Sequence, residues 1–168
     1  LHTDKYGAGK TDICIVRIDS TGVVQWSKTY GGSGDEIPSS VMEEANGDII
    51  VGGFTQSFGD TGAYIFKTDK GGNLKWSKMA ESVGGEIYGN FYTQPLASCV
   101  IQPSDDHGYG LLSNNLLLKL DSNGVSCNSR DVATIVQDAP TKDSTVIFLT
   151  DKVSFSPGTK NTILADTT

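Results

Sequence analysis

The chain has 168 residues and a formal net charge of −7 with only 13 Lys and Arg residues, so no basic stripe is available to neutralise the phosphates of a nucleic acid or an anionic membrane. No stretch holds 18 consecutive apolar residues, which argues against a membrane-spanning segment. With 20 Gly residues and many Ser, Thr, Asn and Asp, the composition predicts an all-β, turn-rich chain of one domain, or of one domain and a short appendage.

The first residues read as the middle of a repeating unit. Residues 6–12 are similar to the later loop at 58–63, so residues 1–3 would be the last piece of an earlier strand. We expect either that upstream residues have been lost or that the missing strands come from another molecule. No apolar leader is present, so any export signal is expected to be removed or to lie outside this sequence.

The first full predicted strand covers residues 13–19 and alternates with a period of two. Cys14, Val16 and Ile18 fall on one face of it. The equivalent positions in the later copies are also apolar, so we assign this face to the core.

The strand ends at Asp19, and Gly22 follows three residues later to supply the positive φ of a tight hairpin. The next strand, at 23–30, carries Trp26. A Gly-rich turn at 31–35 leads to further strands, which we predict near 38–44 and at 48–55, joined by an Asn-Gly turn.

This unit then recurs with a period of 50 residues, since Asp19 returns as Asp69, and a third, decayed copy begins at Leu116. The equivalent positions are Asp19, Asp69 and Asp121; Gly22, Gly72 and Gly124; and Trp26, Trp76 and Asn128. Four antiparallel strands per unit of this length predict tandem propeller-like blades, about two and a half of them in an incomplete ring.

The second copy carries an insertion of about nine residues within 81–95, followed by predicted strands at 97–102 and 109–113. The insertion breaks the repeat with three aromatic residues, which we predict to bind a ligand or to form an interface. They are Tyr88, Phe91 and Tyr92. Covering an exposed end of the array is an equally good explanation of them.

The repeat stops after residue 128, which divides the chain into a repeat region at 1–128 and a β-rich tail at 129–168. The copies lie near 12–62, 63–115 and 116–128, and the short β-type runs of the tail lie at 132–136, 145–149, 153–155 and 162–164. The tail has too little apolar surface for a core of its own. It must therefore pair with the repeats, pair with another chain or remain mobile.

The repeat resembles a family of extracellular propeller-like repeats in which a strand ending in Asp-x-x-Gly precedes Trp-Ser-Lys and a Gly-Gly-Ser-Gly-Asp turn. Residues 19–35 and 46–53 match this pattern closely, 69–78 match it well, and 116–127 match only at the strand and turn. The last of these is similar to the terminal unit of bacterial surface proteins exported by the type IX route. The resemblance implies a secreted or cell-surface location and says little about function.

The number of copies is too small for a closed propeller, which has four to eight blades. Uncovered faces and strand edges are templates for another chain. We therefore predict a homo-oligomer or filament that forms through edge strands and the tail, with residues 129–168 as the preferred linking strand.

These features favour a non-enzymatic structural subunit of an extracellular fibre or cell-surface assembly. The alternative is a carbohydrate-binding adhesin module from a larger secreted protein. Trp26 and Trp76 could stack on sugars, but their fixed repeat position favours packing between blades.

Metal, cofactor and catalytic sites are not predicted. One Asp per turn, at Asp19, Asp69 and Asp121, favours hairpin capping over calcium binding. The turn at 105–107 is the one place where carboxylates adjoin His, and we interpret it as a solvated turn. A glycosidase pair could be drawn from Asp35, Glu36, Glu43, Glu44 and Glu86, but no spacing singles out two of them.

The three Cys residues match neither a disulfide scaffold nor a zinc site. We favour the interpretation that they are small, part-buried hydrophobic residues, and the alternative is one disulfide and one free thiol.

The resemblance also implies O-glycosylation at Asp-Ser or Asp-Thr followed by an apolar residue or Thr. Three positions are similar to that signal: Ser20, Ser144 and Thr167.

Overall fold

The computed structural model describes residues 2–3, 6–81, 99–113 and 116–139. This part of the chain is all-β and contains no helix, so none in it is long and apolar enough to cross a membrane. Its strands are β1 (His2–Thr3), β2 (Asp12–Ile18), β3 (Val24–Gly31), β4 (Glu36–Glu43), β5 (Ile49–Thr55), β6 (Gly62–Thr68), β7 (Leu74–Glu81), β8 (Cys99–Pro103), β9 (Tyr109–Ser113), β10 (Leu116–Leu120), β11 (Ser129–Asp131) and β12 (Ile135–Asp138). The predicted all-β class is confirmed.

The strands form three antiparallel sheets. The first sheet has the order β1-β2-β3-β12, the middle sheet β11-β7-β6-β5-β4, and the third sheet β10-β9-β8. Each sheet contains a run of sequential hairpins. The sheets are offset from the sequence repeats by half a unit, because β2 and β3 belong to the first sheet while β4 and β5 of the same copy join the middle sheet.

Five turns share one geometry, in which a three-residue loop ends on a residue with positive φ, and four of them join paired strands as hairpins. In the first of them the backbone N–H of Gly22 donates to the carbonyl of Asp19, and the N–H of Asp19 donates to the carbonyl of Val23. Four of the turns place glycine at the positive φ, and the fifth places His107 there with a φ of 63°. Glycine adopts this conformation without the steric penalty that a β-carbon brings.

The inner strands β5 and β6 of the middle sheet are buried on both faces, since all seven residues of each are buried. At the β4 edge of the same sheet, Val41 is 66% exposed. The cluster between the first and middle sheets contains Ile13, Tyr30, Ile49, Val51, Tyr64 and Phe66. The cluster between the middle and third sheets contains Ile50, Ala63, Ile65, Ala80, Ile101, Tyr109, Leu111, Leu118 and Leu120. Full burial of each large apolar side chain contributes roughly 1.5–3 kcal/mol, so these two layers account for most of the hydrophobic stabilisation.

The predicted core face is correct in the later copies and wrong in part of the first. Tyr64 and Phe66 are buried, whereas Ile18 is 43% exposed and Val16 is only half-buried. In β2 it is the opposite face, led by Ile13, that enters a core cluster. The first sheet contacts the middle sheet through that face, and nothing in the sequence of β2 alone reveals which face is covered.

The start of the tail pairs within the chain. Strand β11 pairs with β7, and β12 pairs with β3, each at the outer edge of its sheet. Residues 129–138 thus pair within the single chain, and a linking role for them stays a prediction. The remaining predicted runs, at 145–149, 153–155 and 162–164, lie outside the described residues, and a linking role for that part stays a prediction.

Candidate functional site

The first sheet contacts the middle sheet through a tryptophan placed on a turn. The indole Nε1 of Trp26 donates a hydrogen bond to the carbonyl of Lys70, with 3.0 Å between the heavy atoms. A β-carbon added to Gly72 would lie 2.9 Å from Cζ3 of Trp26, which is closer than real side chains allow. Only glycine permits this approach of the ring to the turn.

The period of two along β3 brings two further side chains to the same turn. The hydroxyl of Tyr30 donates to the carbonyl of Gly72 at 2.6 Å, and Nζ of Lys28 donates to Oδ1 of Asn73 at 3.0 Å. The Tyr30 ring stacks on Phe66 with a centroid distance of 4.7 Å. Burial raises the pKa of Tyr30 above its ordinary value.

The middle sheet makes the same contact with the third copy of the repeat. A β-carbon on Gly124 would lie 2.7 Å from Cζ3 of Trp76. The Trp76 ring also lies 6.2 Å from the ring of Tyr109 in the third sheet. Both tryptophans thus pack between neighbouring sheets, which confirms the packing role that their repeat position predicts.

The turn of the first copy lacks this contact. Gly72 and Gly124 are buried, whereas Gly22 is exposed, and a β-carbon on Gly22 would have no described atom within 4 Å. At the other end of the array, Asn128 replaces the third tryptophan and is exposed. The described chain therefore has three equivalent turns and two tryptophans to cover them.

Both terminal sheets expose apolar side chains. In the first sheet and its turn, Ile18 is 43% exposed and Val23 is 60% exposed. In the third sheet, Leu112 is 49% exposed and Leu117 is 76% exposed, on the face turned away from the middle sheet. In the middle sheet the equivalent of Ile18, Thr68, is buried, whereas the equivalent of Val23, Asn73, is exposed.

Each Asp-x-x-Gly turn is capped by its aspartate. Oδ1 of Asp19 accepts from the backbone N–H groups of Thr21 and Val23, and Asp69 and Asp121 accept from the same two positions of their own turns. A hydrogen bond from the Thr21 hydroxyl is the main reason that the pKa of Asp19 lies below its usual value. The hairpin-capping prediction is confirmed.

Among the described residues no group of three His, Cys, Asp or Glu side chains converges on a metal position.

A buried ionic cluster joins the middle and third sheets. Nζ of Lys67 lies 2.8 Å from Oε2 of Glu44 and 3.4 Å from Oδ2 of Asp48. The Tyr109 hydroxyl donates to Oε1 of Glu44 at 2.6 Å and accepts from Lys67 at 3.2 Å. Burial alone would raise the pKa of Glu44, but the hydrogen bonds from Lys67 and Tyr109 hold it below its usual value. The cluster is closed by its own partners and serves as a structural link.

A second buried polar pair lies where the first sheet meets the middle sheet. Asp12 and Glu36 are fully buried and both carboxyl groups approach Gly31. Oε2 of Glu36 accepts from the N–H of Gly32 at 2.9 Å, while Oδ1 of Asp12 has no hydrogen-bond partner. Burial and the neighbouring Glu36 raise the pKa of Asp12.

Neither polar cluster is visible in the linear sequence. Lys67 lies 23 residues from Glu44, and the separation between Asp12 and Glu36 is 36 − 12 = 24 residues. Only the pairing of the strands brings these groups together, so no local spacing could have signalled them.

The site residues predicted from the sequence are placed only in part. Ser20 lies exposed in the first turn, where its modification stays a prediction. The others lie outside the described residues: Tyr88, Phe91, Tyr92, Ser144 and Thr167.

The candidate acid–base residues do not gather in one place. Asp105, Asp106 and His107 are exposed, and Asp106 pairs with Lys119 across a hairpin. Glu43 pairs with Arg17 and Glu44 pairs with Lys67, while Glu86 lies outside the described residues.

Cys14 is a buried free thiol and Cys127 is an exposed one. The expectation that the cysteines are part-buried hydrophobic residues is therefore wrong for Cys127.

Comparison of the chain with known protein families, with curated proteins and with solved structures finds no match in any of the three.

Proposed function

We propose that this protein is a non-enzymatic, structural subunit of an extracellular fibre or cell-surface assembly. In this proposal its propeller-like repeats contact the repeats of neighbouring subunits. The observation that carries it is the contrast between the inner strands β5 and β6 of the middle sheet, in which every residue is buried, and the terminal sheets, which expose Ile18 at the end of β2 and the Leu112–Leu117 pair of β9 and β10.

The blade-like interpretation is supported by the connectivity of the middle sheet. Strands β4, β5, β6 and β7 pair in sequential order, as the strands of a propeller blade do. The same tryptophan-to-turn contact joins the first sheet to the middle sheet and the middle sheet to the third copy. A repeated contact of one kind between successive units is how repeat arrays build a continuous core.

Assembly through the terminal faces is supported by the size and position of their exposed side chains. Leu112 and Leu117 are neighbours across β9 and β10, so they form one patch rather than scattered residues. Leu112 and Leu117 are only partly exposed, so covering them would contribute less than the roughly 3–6 kcal/mol of two fully exposed leucines. Association costs about 4–15 kcal/mol, so a neighbour that covers this patch must also make contacts beyond it.

Negative-stain electron microscopy of the native material tests the proposal. Fibres or large ordered assemblies are the expected result. Dispersed particles of single-chain size would contradict it and would favour the adhesin alternative. A glycan array then decides that alternative, since an adhesin should bind specific glycans and lose binding in Tyr92→Ala.

A further inference from the structure

We propose that the Asp19–Val23 turn and the adjoining end of β2, at Ile18, form an acceptor for one further repeat that carries a tryptophan at the Trp26 position. The partner is defined by its chemistry: a β-hairpin whose second strand presents a Trp and, four residues later on the same face, a Tyr. This inference rests on the proposed repeat-to-repeat assembly and names the partner for one of its surfaces.

The internal contacts supply the pattern. Trp26 occupies the turn of the second copy, and Trp76 occupies the turn of the third. In both cases the glycine at positive φ is buried by the ring of the preceding copy. The first turn has the same backbone geometry, with a φ of 85° at Gly22, and no such ring.

The backbone acceptors needed by the partner are already in place. In the internal contact, Trp26 donates to the carbonyl of Lys70 and Tyr30 donates to the carbonyl of Gly72. The equivalent carbonyls of the first turn belong to Ser20 and Gly22, which lie in an exposed loop. An incoming Trp and Tyr would therefore form the same two hydrogen bonds.

The exposed side chains beside the turn fit the same partner. Ile18 and Val23 flank Gly22 and are 43% and 60% exposed. In the second copy, the region equivalent to this one is covered by Ile13, Trp26 and Tyr30. An aliphatic and aromatic surface of that kind would bury Ile18, because its equivalent Thr68 is buried in the second copy. Val23 would stay exposed, as its equivalents Asn73 and Val125 do.

A second copy of this chain is a poorer occupant. Both of its tryptophans already cover turns of their own chain, and its third repeat offers Asn128 where the ring is needed. The acceptor thus selects a tryptophan-bearing repeat over the end of the array. The two ends of the described repeats thus differ, because the first turn can accept a tryptophan and the third copy has Asn128 at the position that would donate one.

The test is to supply the missing repeat within the full chain. A copy of residues 6–55, joined directly to the amino side of Tyr6 and replacing residues 1–5, continues the period of 50. Amide hydrogen exchange then compares the Asp19–Val23 turn in the extended and unextended chains. The Asp69–Asn73 turn serves as an internal reference for an occupied acceptor.

The expected result is that exchange of the Asp19–Val23 turn slows by about 10-fold or more on extension and approaches that of the reference turn. Changing the copied Trp26 to Ala should remove the slowing, and so should Gly22→Ala in the extended chain. Unchanged exchange of the first turn would overturn the proposal. Loss of protection at the reference turn would also count against it, since the added unit follows the natural period.

If a second copy of this chain were the occupant, hydrogen exchange at the first turn would give a different result. If the first turn of the unextended chain becomes protected as protein concentration rises, a second copy covers it, and the tryptophan-bearing partner is rejected. Microscopy of the native material does not depend on the added repeat. Failure of this inference and failure of the proposed function are therefore distinguishable.

Discussion

Trp26 lies so close to Gly72 that a β-carbon on the glycine would stand 2.9 Å from the ring, and Trp76 holds the same relation to Gly124. Trp26 and Gly72 are 72 − 26 = 46 residues apart, and Trp76 and Gly124 are 124 − 76 = 48 residues apart. The fold brings both pairs into the same kind of contact. The glycine of each turn serves two purposes, since it adopts the positive φ and leaves room for the tryptophan. The contact explains why Trp and Gly recur together in the repeat.

The first prediction separates these two purposes of the glycine. Gly22→Ala should cost about 1–2 kcal/mol in the free energy of unfolding, because only the positive φ is strained. Gly72→Ala should cost about 1–3 kcal/mol more, because the new methyl group also collides with Trp26 and the Tyr30 hydroxyl. Urea denaturation of both variants measures the difference. Equal costs would show that the ring does not press on Gly72.

The ionic cluster gives a second prediction. Lys67→Met leaves Glu44 without its cation and the Tyr109 hydroxyl without its donor, while Asp48 keeps Lys75, and it should cost about 3–5 kcal/mol at pH 7. Lys75→Met is the matched control, because Lys75 is 46% exposed and Asp48 would keep Lys67. That control should cost less than about 1 kcal/mol in the same urea titration. A Lys67 variant as stable as the Lys75 variant would refute the structural role of the cluster.

The cluster also predicts a pH dependence. The pKa of Glu44 is lowered in the folded state, so its contribution to stability is present above the usual value of 4.5. The contribution should disappear as the pH falls through the lowered pKa. In Lys67→Met the fall in stability at low pH should be smaller, because the cation that lowers the pKa of Glu44 is gone. Thermal unfolding between pH 7 and about pH 3 provides the measurement, and identical profiles for the two proteins would argue against it.

Asp12 should change the stability of the protein with pH in the direction opposite to Glu44. Its pKa is raised in the folded state, so its contribution favours folding below the usual value of 3.8 and is lost as the pH rises through the raised pKa. Asp12→Asn removes the buried charge and can donate to Glu36, so it should stabilise the protein by about 1 kcal/mol at pH 7. The gain should vanish below pH 3.8.

Asp19→Asn is the control for that experiment. The pKa of Asp19 is lowered by its hydrogen bonds, and the group is exposed, so this variant should gain no stability at pH 7. Stabilisation by both variants would mean that removal of negative charge, rather than burial of Asp12, is responsible.

His107 occupies a position that the other four turns give to glycine. His107→Gly should therefore stabilise the protein by about 1 kcal/mol, because the positive φ of 63° then carries no steric penalty. His107→Ala keeps the β-carbon and should bring no gain. Differential scanning calorimetry of the two variants is the measurement, and equal melting temperatures would contradict the prediction.

Local patterns predict the strands and turns of this protein well. Asp19 and Gly22 mark a hairpin because both the cap and the positive φ are satisfied within a single turn. The alternation along β2 locates a strand correctly but not its buried face. That face depends on which neighbour covers the sheet, and Ile18 is exposed because the first sheet contacts the middle sheet from its other side.

Long-range features escaped prediction for a related reason. Strands β11 and β12 pair with the outer edges of β7 and β3, and this pairing depends on the path of the chain after Asn128. Both strands are short and polar, so they show little hydrophobic alternation from which a pairing could be predicted. Lys67 and Tyr109 are 42 residues apart, so nothing in the linear sequence links them. The repeat itself did predict the Trp packing, because equal spacing of Trp and turn implies equal contacts.

One tryptophan-to-turn contact orders the sheets of this protein and leaves the first turn uncovered. Nuclear Overhauser effects between indole protons and glycine α-protons test this arrangement most directly. We expect cross-peaks from Trp26 to Gly72 and from Trp76 to Gly124, with none from either ring to Gly22. Absence of the first two, or an equal cross-peak to Gly22, would contradict it.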